Sequence, residues 1–205
     1  MYLFIALLIW LCAPIHPAPV PEYSGETHIS MEGAGFKRAL EHSQSLVNKI
    51  LGDIPAAHKA SVNSETLTLQ PNSEPKNLDY MVTVLAIPSA PTLKAISADF
   101  TVEMCLDRMA EGLEMYQDLL KAVGDRASSP EKLRDLQADV KDLSAQIHKM
   151  HQLAGMESTA QYKGSGLDSR LTGDYEVQVA THLTLAQLRD FTQDIFRSLR
   201  NMAQV

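Results

Sequence analysis

Four amphipathic segments of this chain are joined by connections of very unequal length, and this inequality limits how the segments can be arranged. Apolar residues recur every three or four positions in each segment, which is the spacing of one helix face. About 40 residues separate the first segment from the second, about five the second from the third, and about 20 the third from the fourth. A short link makes neighbouring helices antiparallel, whereas a long overhand link lets consecutive helices run parallel. We therefore predict an all-α four-helix bundle of up-up-down-down topology with two long overhand connections.

Residues that begin and end helices set the expected bounds of the four segments. Pro55 is expected to close the first helix, Gly124 the second and Gly155 the third, and Ser129 is expected to cap the start of the third. The expected helices are residues 36–54, 97–123, 129–155 and 175–202. Residues 164–174, rich in glycine and serine, are interpreted as a flexible linker within one domain.

The second segment is unusual because a glycine interrupts an otherwise regular helix of about 33 Å. Its apolar stripe includes Val102, Leu113 and Val123, and Gly112 lies in the middle. A glycine inside a helix costs about 1 kcal/mol relative to alanine. We therefore predict that another part of the protein packs closely against the backbone at Gly112.

The first 18 residues are predicted to be a secretory signal peptide. Residues 3–11 form an apolar run that is too short to span a bilayer, and it is followed by Ala13 and Ala18 as alternative cleavage points. The cleavage site therefore stays open between residues 13 and 18. Residues 19–205 are expected to form a single secreted, extracellular domain.

Net charge and motifs restrict the function. All charged side chains lie after the signal peptide, and their net charge of −7 argues against nucleic acid or an anionic membrane as partner. His148 and His151 could bind one metal ion together, but no third ligand and no catalytic or phosphate-binding motif accompanies them, so surface histidines are the favoured interpretation. We therefore expect no metal, no cofactor and no enzymatic activity.

Several motifs resemble one family of cytokines. Cys105, Gly112-Leu113, Tyr116 and Leu120 match the signature of the interleukin-six, granulocyte colony-stimulating factor and myelomonocytic growth factor family, except that Ala95 replaces its first cysteine. The granulocyte colony-stimulating factor branch is favoured over interleukin-six by four further motifs in the expected order. These are the end of the first helix, a turn before the second, an Asp-Val-x-Asp sequence and the C-terminus (residues 47–53, 86–91, 139–142 and 196–204).

The resemblance implies a function as well as a fold. It implies a long-chain four-helix bundle cytokine, monomeric by itself, that binds and dimerises a single-pass class I cytokine receptor, with two ligands and two receptor ectodomains in the complex. Such a ligand signals growth, differentiation and immune response in blood cells. Two alternatives stay open: an interleukin-six-like cytokine that needs a shared signalling receptor, and a secreted helical carrier of an apolar ligand.

The third segment carries the first candidate receptor residues. Asp135, Asp139 and Asp142 fall within an arc of about 60° on one helix face, and only Lys132 lies one turn away as a partner. We expect this row to be exposed to solvent. The resemblance places Asp139 and Asp142 in the major receptor surface, where carboxylates could accept paired hydrogen bonds from arginine. An ordinary solvated helix face is the alternative.

The first segment and the connection after it carry the other candidates. Glu41, Ser45 and Asn48 share one flank of the first helix, and the resemblance makes Lys49 a receptor-facing lysine. The family has a glutamate near Ser45, and Glu41 is the candidate to replace it. Glu65 and Leu67 resemble a Glu-x-Leu segment that meets the immunoglobulin-like domain of a second receptor chain, with ordinary loop packing as the alternative.

The disulfides of the family are expected to be absent. The two cysteines of its small disulfide loop correspond to Ala56 and Val62, and Ala95 leaves Cys105 without its family partner. We therefore predict that Cys105 is unpaired and buried, and that the first long connection is more mobile than in the relatives. Packing of apolar side chains should hold that connection instead: Leu67, Leu69, Leu78, Val82, Leu85 and Ile87.

Overall fold

The computed structural model describes residues 33–69 and 78–204, and within these ranges the fold is all-α. The predicted signal peptide lies outside the described residues. The helices are α1 (Ala34–Ser61), α2 (Leu78–Leu85), α3 (Val102–Gly124), α4 (Glu131–Leu153) and α5 (Asp174–Met202), with a short 3-10 helix at Leu167–Arg170.

Four of these helices form the predicted up-up-down-down bundle. α1 and α3 each pack against both α4 and α5, and the two long connections join α1 to α3 and α4 to α5. Each helix contributes one apolar stripe, so the core between them is mainly leucine, isoleucine, valine, methionine and alanine, and it includes a ring contact between Tyr116 and Phe191. Among the described residues, no helix is long and apolar enough to cross a membrane.

The first helix is longer than predicted. α1 continues through Pro55 to Ser61 instead of ending at Ile54. Proline removes one backbone donor and usually bends or ends a helix. Here the last turns bury Ala57, His58 and Ser61, and this burial offsets the missing hydrogen bond.

The starts of two other helices also differ from the prediction. α3 begins at Val102, because the side chain of Thr101 accepts a hydrogen bond from the Met104 amide (3.2 Å) and caps the helix there. α4 begins at Glu131 and no side chain caps it; Ser129 instead accepts a hydrogen bond at its carbonyl from the Ser61 hydroxyl (3.4 Å). The end of α4 agrees with the prediction, since Gly155 follows it with a positive φ of 65°.

The first long connection is packed against the bundle through the predicted apolar side chains. Leu67, Leu78, Leu85 and Ile87 are buried, and Leu69 and Val82 are half-buried. Part of the connection forms α2, which the sequence analysis did not predict. Two arginines also hold it: Arg189 of α5 donates to the Leu69 carbonyl, and Arg170 donates to the Leu85 carbonyl (3.4 Å).

The second long connection is fixed in place and is not the flexible linker that its composition suggested. Leu167, the first residue of the 3-10 helix, and Leu171, which follows the helix, are both buried. Asp118 of α3 accepts hydrogen bonds from the Ser165 amide (2.8 Å), the Ser165 hydroxyl (2.6 Å) and the Tyr162 hydroxyl (3.0 Å). Asp107, a second carboxylate of α3, accepts hydrogen bonds from the Thr159 amide (3.1 Å) and hydroxyl (2.6 Å), so polar contacts with α3 hold this loop.

Candidate functional site

The acidic row of α4 does not have the uniform exposure that its spacing suggested. Asp135 and Asp142 are exposed, but Asp139 is buried, with 9% of its surface accessible. Asp139 directly precedes the core residue Val140, and it lies at the edge of α4 that faces α1. The expectation that all three carboxylates point into solvent was therefore wrong for Asp139.

The partner of Asp139 is a lysine of α1. The Lys49 ammonium donates a hydrogen bond to Oδ2 of Asp139 and lies 3.5 Å from Oδ2 of Asp53 on its own helix. The hydrogen bond to Asp139 raises the pKa of Lys49, although desolvation opposes that change. The pair joins two residues that the sequence analysis assigned to the same surface from different helices. The contact between Lys49 and Asp139 could not be predicted, because the spacing within one helix does not show which residues of another helix lie opposite.

A shallow groove runs between the two helices around this pair. Its α1 side consists of Lys49, Asp53 and Ala56, and its α4 side of Lys132, Asp135, Ala138 and Asp139. Lys132 and Asp135 form an ion pair at 3.6 Å on α4. Asp53 was not among the predicted site residues, although its position four residues after Lys49 is the spacing of an ion pair on a helix.

The other candidates on α1 and α4 are exposed to solvent. Glu41, Ser45 and Asn48 are exposed on α1, as is Asp142 on α4. Within residues 33–69 and 78–204, Asp142 forms no hydrogen bond or ion pair, so its carboxylate is free to bind a cation of a partner. The α1–α4 surface, defined here as Glu41, Ser45, Asn48, Lys49, Asp53, Asp135, Asp139 and Asp142, therefore contains carboxylates, a lysine and neutral polar groups.

The Glu65 segment lies at the end of the bundle where α1 stops. Ser61 contacts Ser129 just before α4, and the Asn63 amide donates to Oε1 of Gln178 on α5 (3.1 Å). Glu65 is exposed, whereas Leu67 is buried with 7% of its surface accessible. Lys49 precedes Ser61 by about 18 Å along the helix axis, so Glu65 belongs to a separate surface. In this surface Glu65 is available to a partner and Leu67 holds the loop.

The two histidines of α4 take part in contacts with α3. His151 is buried with Nε2 at 3.4 Å from Oδ1 of Asp107, and Nε2 of His148 lies 3.9 Å from Oε1 of Glu114. His151 is therefore not the surface histidine that the sequence analysis favoured. Among the residues that the structure describes, no group of three or more His, Cys, Asp or Glu could hold a metal ion.

Cys105 lies in the core on α3 and has no disulfide partner among the described residues. Burial raises the pKa of its thiol, and a hydrogen bond with Ser198 opposes that shift. The thiol is therefore uncharged and shielded at neutral pH.

Comparison with known proteins identifies a family model and several relatives that align with most of this chain. A family model described as "Granulocyte colony-stimulating factor" matches residues 47–200. Myelomonocytic growth factor of Gallus gallus is 25% identical over 206 residues, which cover 98% of this chain and 96% of that protein. Granulocyte colony-stimulating factor of Homo sapiens is 30% identical over 161 residues, which cover 77% of this chain and 75% of that protein. The range matched by the family model includes Lys49, Glu65, Asp139 and Asp142, whereas Glu41 and Ser45 precede it.

Proposed function

The chain belongs to the granulocyte colony-stimulating factor family of growth factors, and on that basis we propose that it is a secreted haematopoietic cytokine. It binds a single-pass class I cytokine receptor and acts by bringing two receptor chains together, without catalysing a reaction. The family consists of growth factors and is not a class of enzymes, which supports this mode of action.

The observation that carries the proposal is the α1–α4 surface. It lies on two of the long helices of the bundle, so its groups are held by rigid elements and are preorganised for a partner. The exposed carboxylate of Asp53 lies 3.5 Å from the Lys49 ammonium, and Asp135 and Asp142 add exposed carboxylates on α4. Such a mixed charge pattern fixes the orientation of a protein partner and disfavours partners of the wrong pattern.

A second surface around Glu65 completes the mechanism. One receptor chain binds the α1–α4 surface and the immunoglobulin-like domain of another binds Glu65, with Leu67 positioning the loop from inside the core. The surfaces are separated along the bundle, so one ligand can contact two receptor chains at once. The complex contains two ligands and two receptors, and the ligand alone is a monomer. Each interface is expected to bury about 1,600 Å², the size of ordinary specific protein complexes.

Secretion is the third part of the proposal. The apolar run in residues 3–11 directs export, and the mature protein begins between Pro14 and Pro19. Cleavage then removes Trp10, the single tryptophan of the full sequence. The intact mass of protein from the culture medium tests this, since a secreted form that retains Trp10 would contradict cleavage.

One experiment separates the proposed cytokine from its alternatives. Purified mature protein is added to cells that carry only the single-chain granulocyte colony-stimulating factor type of receptor, and receptor phosphorylation is read out. We expect phosphorylation in these cells. A response that requires a shared second receptor would indicate the interleukin-six type. Absence of any response, together with an apolar molecule released from the gently purified protein in mass spectrometry, would indicate a carrier.

A further inference from the structure

The two partners of the Lys49–Asp139 pair differ strongly in their access to solvent. The Lys49 side chain is 53% exposed, whereas that of Asp139 is 12% exposed. Lys49 reaches across the helix interface from α1, and its ammonium donates to the carboxylate on α4. A partner that approaches this point of the surface therefore meets the lysine first.

The Lys49 ammonium also keeps hydrogen-bonding capacity for a partner. An ammonium group has three donors. One is used by Asp139, and Asp53 lies at ion-pair distance, 3.5 Å, with its side chain 52% exposed. At least one donor can therefore point towards solvent. Asp139, in contrast, would have to lose its lysine and be desolvated further before it could bind an arginine from outside.

We propose that Asp139 is a positioning residue, which holds the Lys49 ammonium at the centre of the α1–α4 surface, and that the receptor binds Lys49 there through an acceptor, a carboxylate or a backbone carbonyl. This inference rests on the proposed function and changes the chemistry expected of the receptor at this point. Asp142, three residues further along α4 and exposed, binds a cationic group of the receptor instead. The surface thus presents to the receptor a donor, Lys49, and an acceptor, Asp142, at a fixed separation.

The physical benefit of the pair is preorganisation. A free lysine side chain has many rotamers, and ordering it at an interface costs conformational entropy. Asp139 orders Lys49 before the receptor arrives. The entropy cost of ordering the lysine side chain is therefore met when the cytokine folds and not when it binds. Removing Asp139 should therefore weaken binding even though its carboxylate does not touch the receptor.

A double-mutant cycle in receptor binding tests the inference. Affinity for the ectodomain of the class I receptor is measured for the wild type, Asp139→Asn, Lys49→Met and the variant with both changes. We expect Lys49→Met to weaken binding by about tenfold or more, and Asp139→Asn to weaken it by about fivefold to tenfold. In the Lys49→Met background, Asp139→Asn should change the affinity by less than about twofold, because the lysine that it positions is already absent.

The variants include controls for folding and for net charge. Asparagine retains the shape of Asp139 but removes the negative charge that holds the Lys49 ammonium, and the double variant removes both charges, so each should keep the helical circular dichroism spectrum. Lys59→Met removes an exposed lysine from the same helix outside the α1–α4 surface and should leave the affinity unchanged.

Three results of the binding experiment would contradict the inference, and they differ in what they imply for the proposed function. Equal losses from Asp139→Asn in both backgrounds would show that Asp139 contacts the receptor itself and would overturn the inference while the proposed function stands. Unchanged affinity in Asp139→Asn, with only a lower melting temperature, would show a purely structural pair and would also overturn it. Failure of the wild type to bind any class I receptor ectodomain would refute the proposed function together with the inference.

Discussion

The ring of Phe191 on α5 occupies the position where a side chain at Gly112 of α3 would begin. A Cβ atom added to Gly112 would lie 2.2 Å from Cζ of Phe191 and 2.5 Å from Cε1. The ring also packs against Tyr116, one turn further along α3, with 5.5 Å between the ring centroids. The predicted close approach to the backbone at Gly112 is thus confirmed, and it explains a glycine in the middle of a long helix.

Gly112→Ala is expected to destabilise the protein by about 1 to 3 kcal/mol, because Phe191 must move within a packed core and this overpacking exceeds the gain in helix propensity. Gly52→Ala is the matched control, since Gly52 lies within α1 and a Cβ there would meet nothing within 4 Å. It should stabilise by about 0.5 to 1 kcal/mol. Urea denaturation measures both changes, and equal shifts in the two variants would contradict the role given to Phe191.

Asp142→Arg should separate receptor binding from stability. Asp142 is exposed, so the free energy of unfolding should change by no more than about 0.5 kcal/mol. Receptor affinity should fall at least tenfold, since losing a charge-assisted contact at an interface commonly costs about 2 kcal/mol or more. Asp99→Arg makes the same charge change in an exposed connection and should preserve binding. Full signalling by Asp142→Arg in cells would refute the assignment of this residue.

Asp139→Arg should behave differently from Asp142→Arg. It places a second cation beside Lys49 and removes a mostly buried carboxylate, so we expect a loss of about 1 to 3 kcal/mol in the free energy of unfolding. Thermal denaturation followed by circular dichroism measures it. A melting temperature equal to that of the wild type would show that the Lys49–Asp139 pair contributes little to the packing of α1 on α4.

Glu65→Ala tests the second surface. Glu65 is exposed at the end of the bundle, so the change should leave the fold and the binding of a first receptor chain unaltered. The yield of the complex with two receptors should fall, as measured by light scattering after size-exclusion chromatography. Normal assembly in this variant would argue against a second receptor contact at Glu65.

Acid should destabilise the protein through a buried histidine pair between α1 and α5. His58 Nε2 and His182 Nδ1 are 3.0 Å apart, and both side chains are buried. Burial, and the charge on His182 when it is protonated, lower the pKa of His58 to about 4, and burial and Arg189 lower that of His182. The unfolded chain therefore binds more protons than the folded chain between about pH 6.5 and 4, so stability falls as the pH falls through this window.

For His58 the loss between pH 7 and pH 5 should approach 2 kcal/mol. Urea denaturation at both pH values measures it. His58→Gln should reduce the pH dependence, whereas His42→Gln, at an exposed position of α1, should leave it as in the wild type. An unchanged pH dependence in His58→Gln would show that other groups cause the acid sensitivity.

The thiol of Cys105 should react only after unfolding. Thiol titration of the mature protein should find one group per chain, slow in the native state and fast in denaturant, because Cys105 is buried. Fast reaction in the native state would show that α3 opens at this point. A covalent dimer would show that Cys105 pairs between molecules.

Long periodic segments were the part of the fold that the sequence predicted best. The stripes of α3 and α5 contain enough repeats to define one face. Both bounds of α5 and the end of α3 agree with the prediction within one residue, whereas α3 begins five residues later than predicted. α2 has only eight residues, too few for a periodic pattern to be distinguished from a packed loop. The extension of α1 beyond Pro55 depends on burial against other elements, which outweighs the local preference of proline.

The candidate site was predictable only one helix at a time. Spacing placed Asp139 and Asp142 on one side of α4 and Glu41, Ser45 and Asn48 on one flank of α1, and the family resemblance added Lys49. Whether Lys49 touches Asp139 depends on the rotation and axial register of the two helices, which the core packing sets. The pairing of His58 with His182 arises in the same way between α1 and α5.

The arginine contacts of the first long connection have a consequence for how the protein can be made. Arg189 and Arg170 bind the Leu69 and Leu85 carbonyls, so the connection is tethered without a covalent bond. Removal of residues 1–18 would leave Cys105 as the remaining cysteine of the chain. Refolding then involves no thiol-disulfide exchange, which is often the slow step for secreted proteins. The bundle should reach its folded state in reducing solution as readily as in oxidising solution.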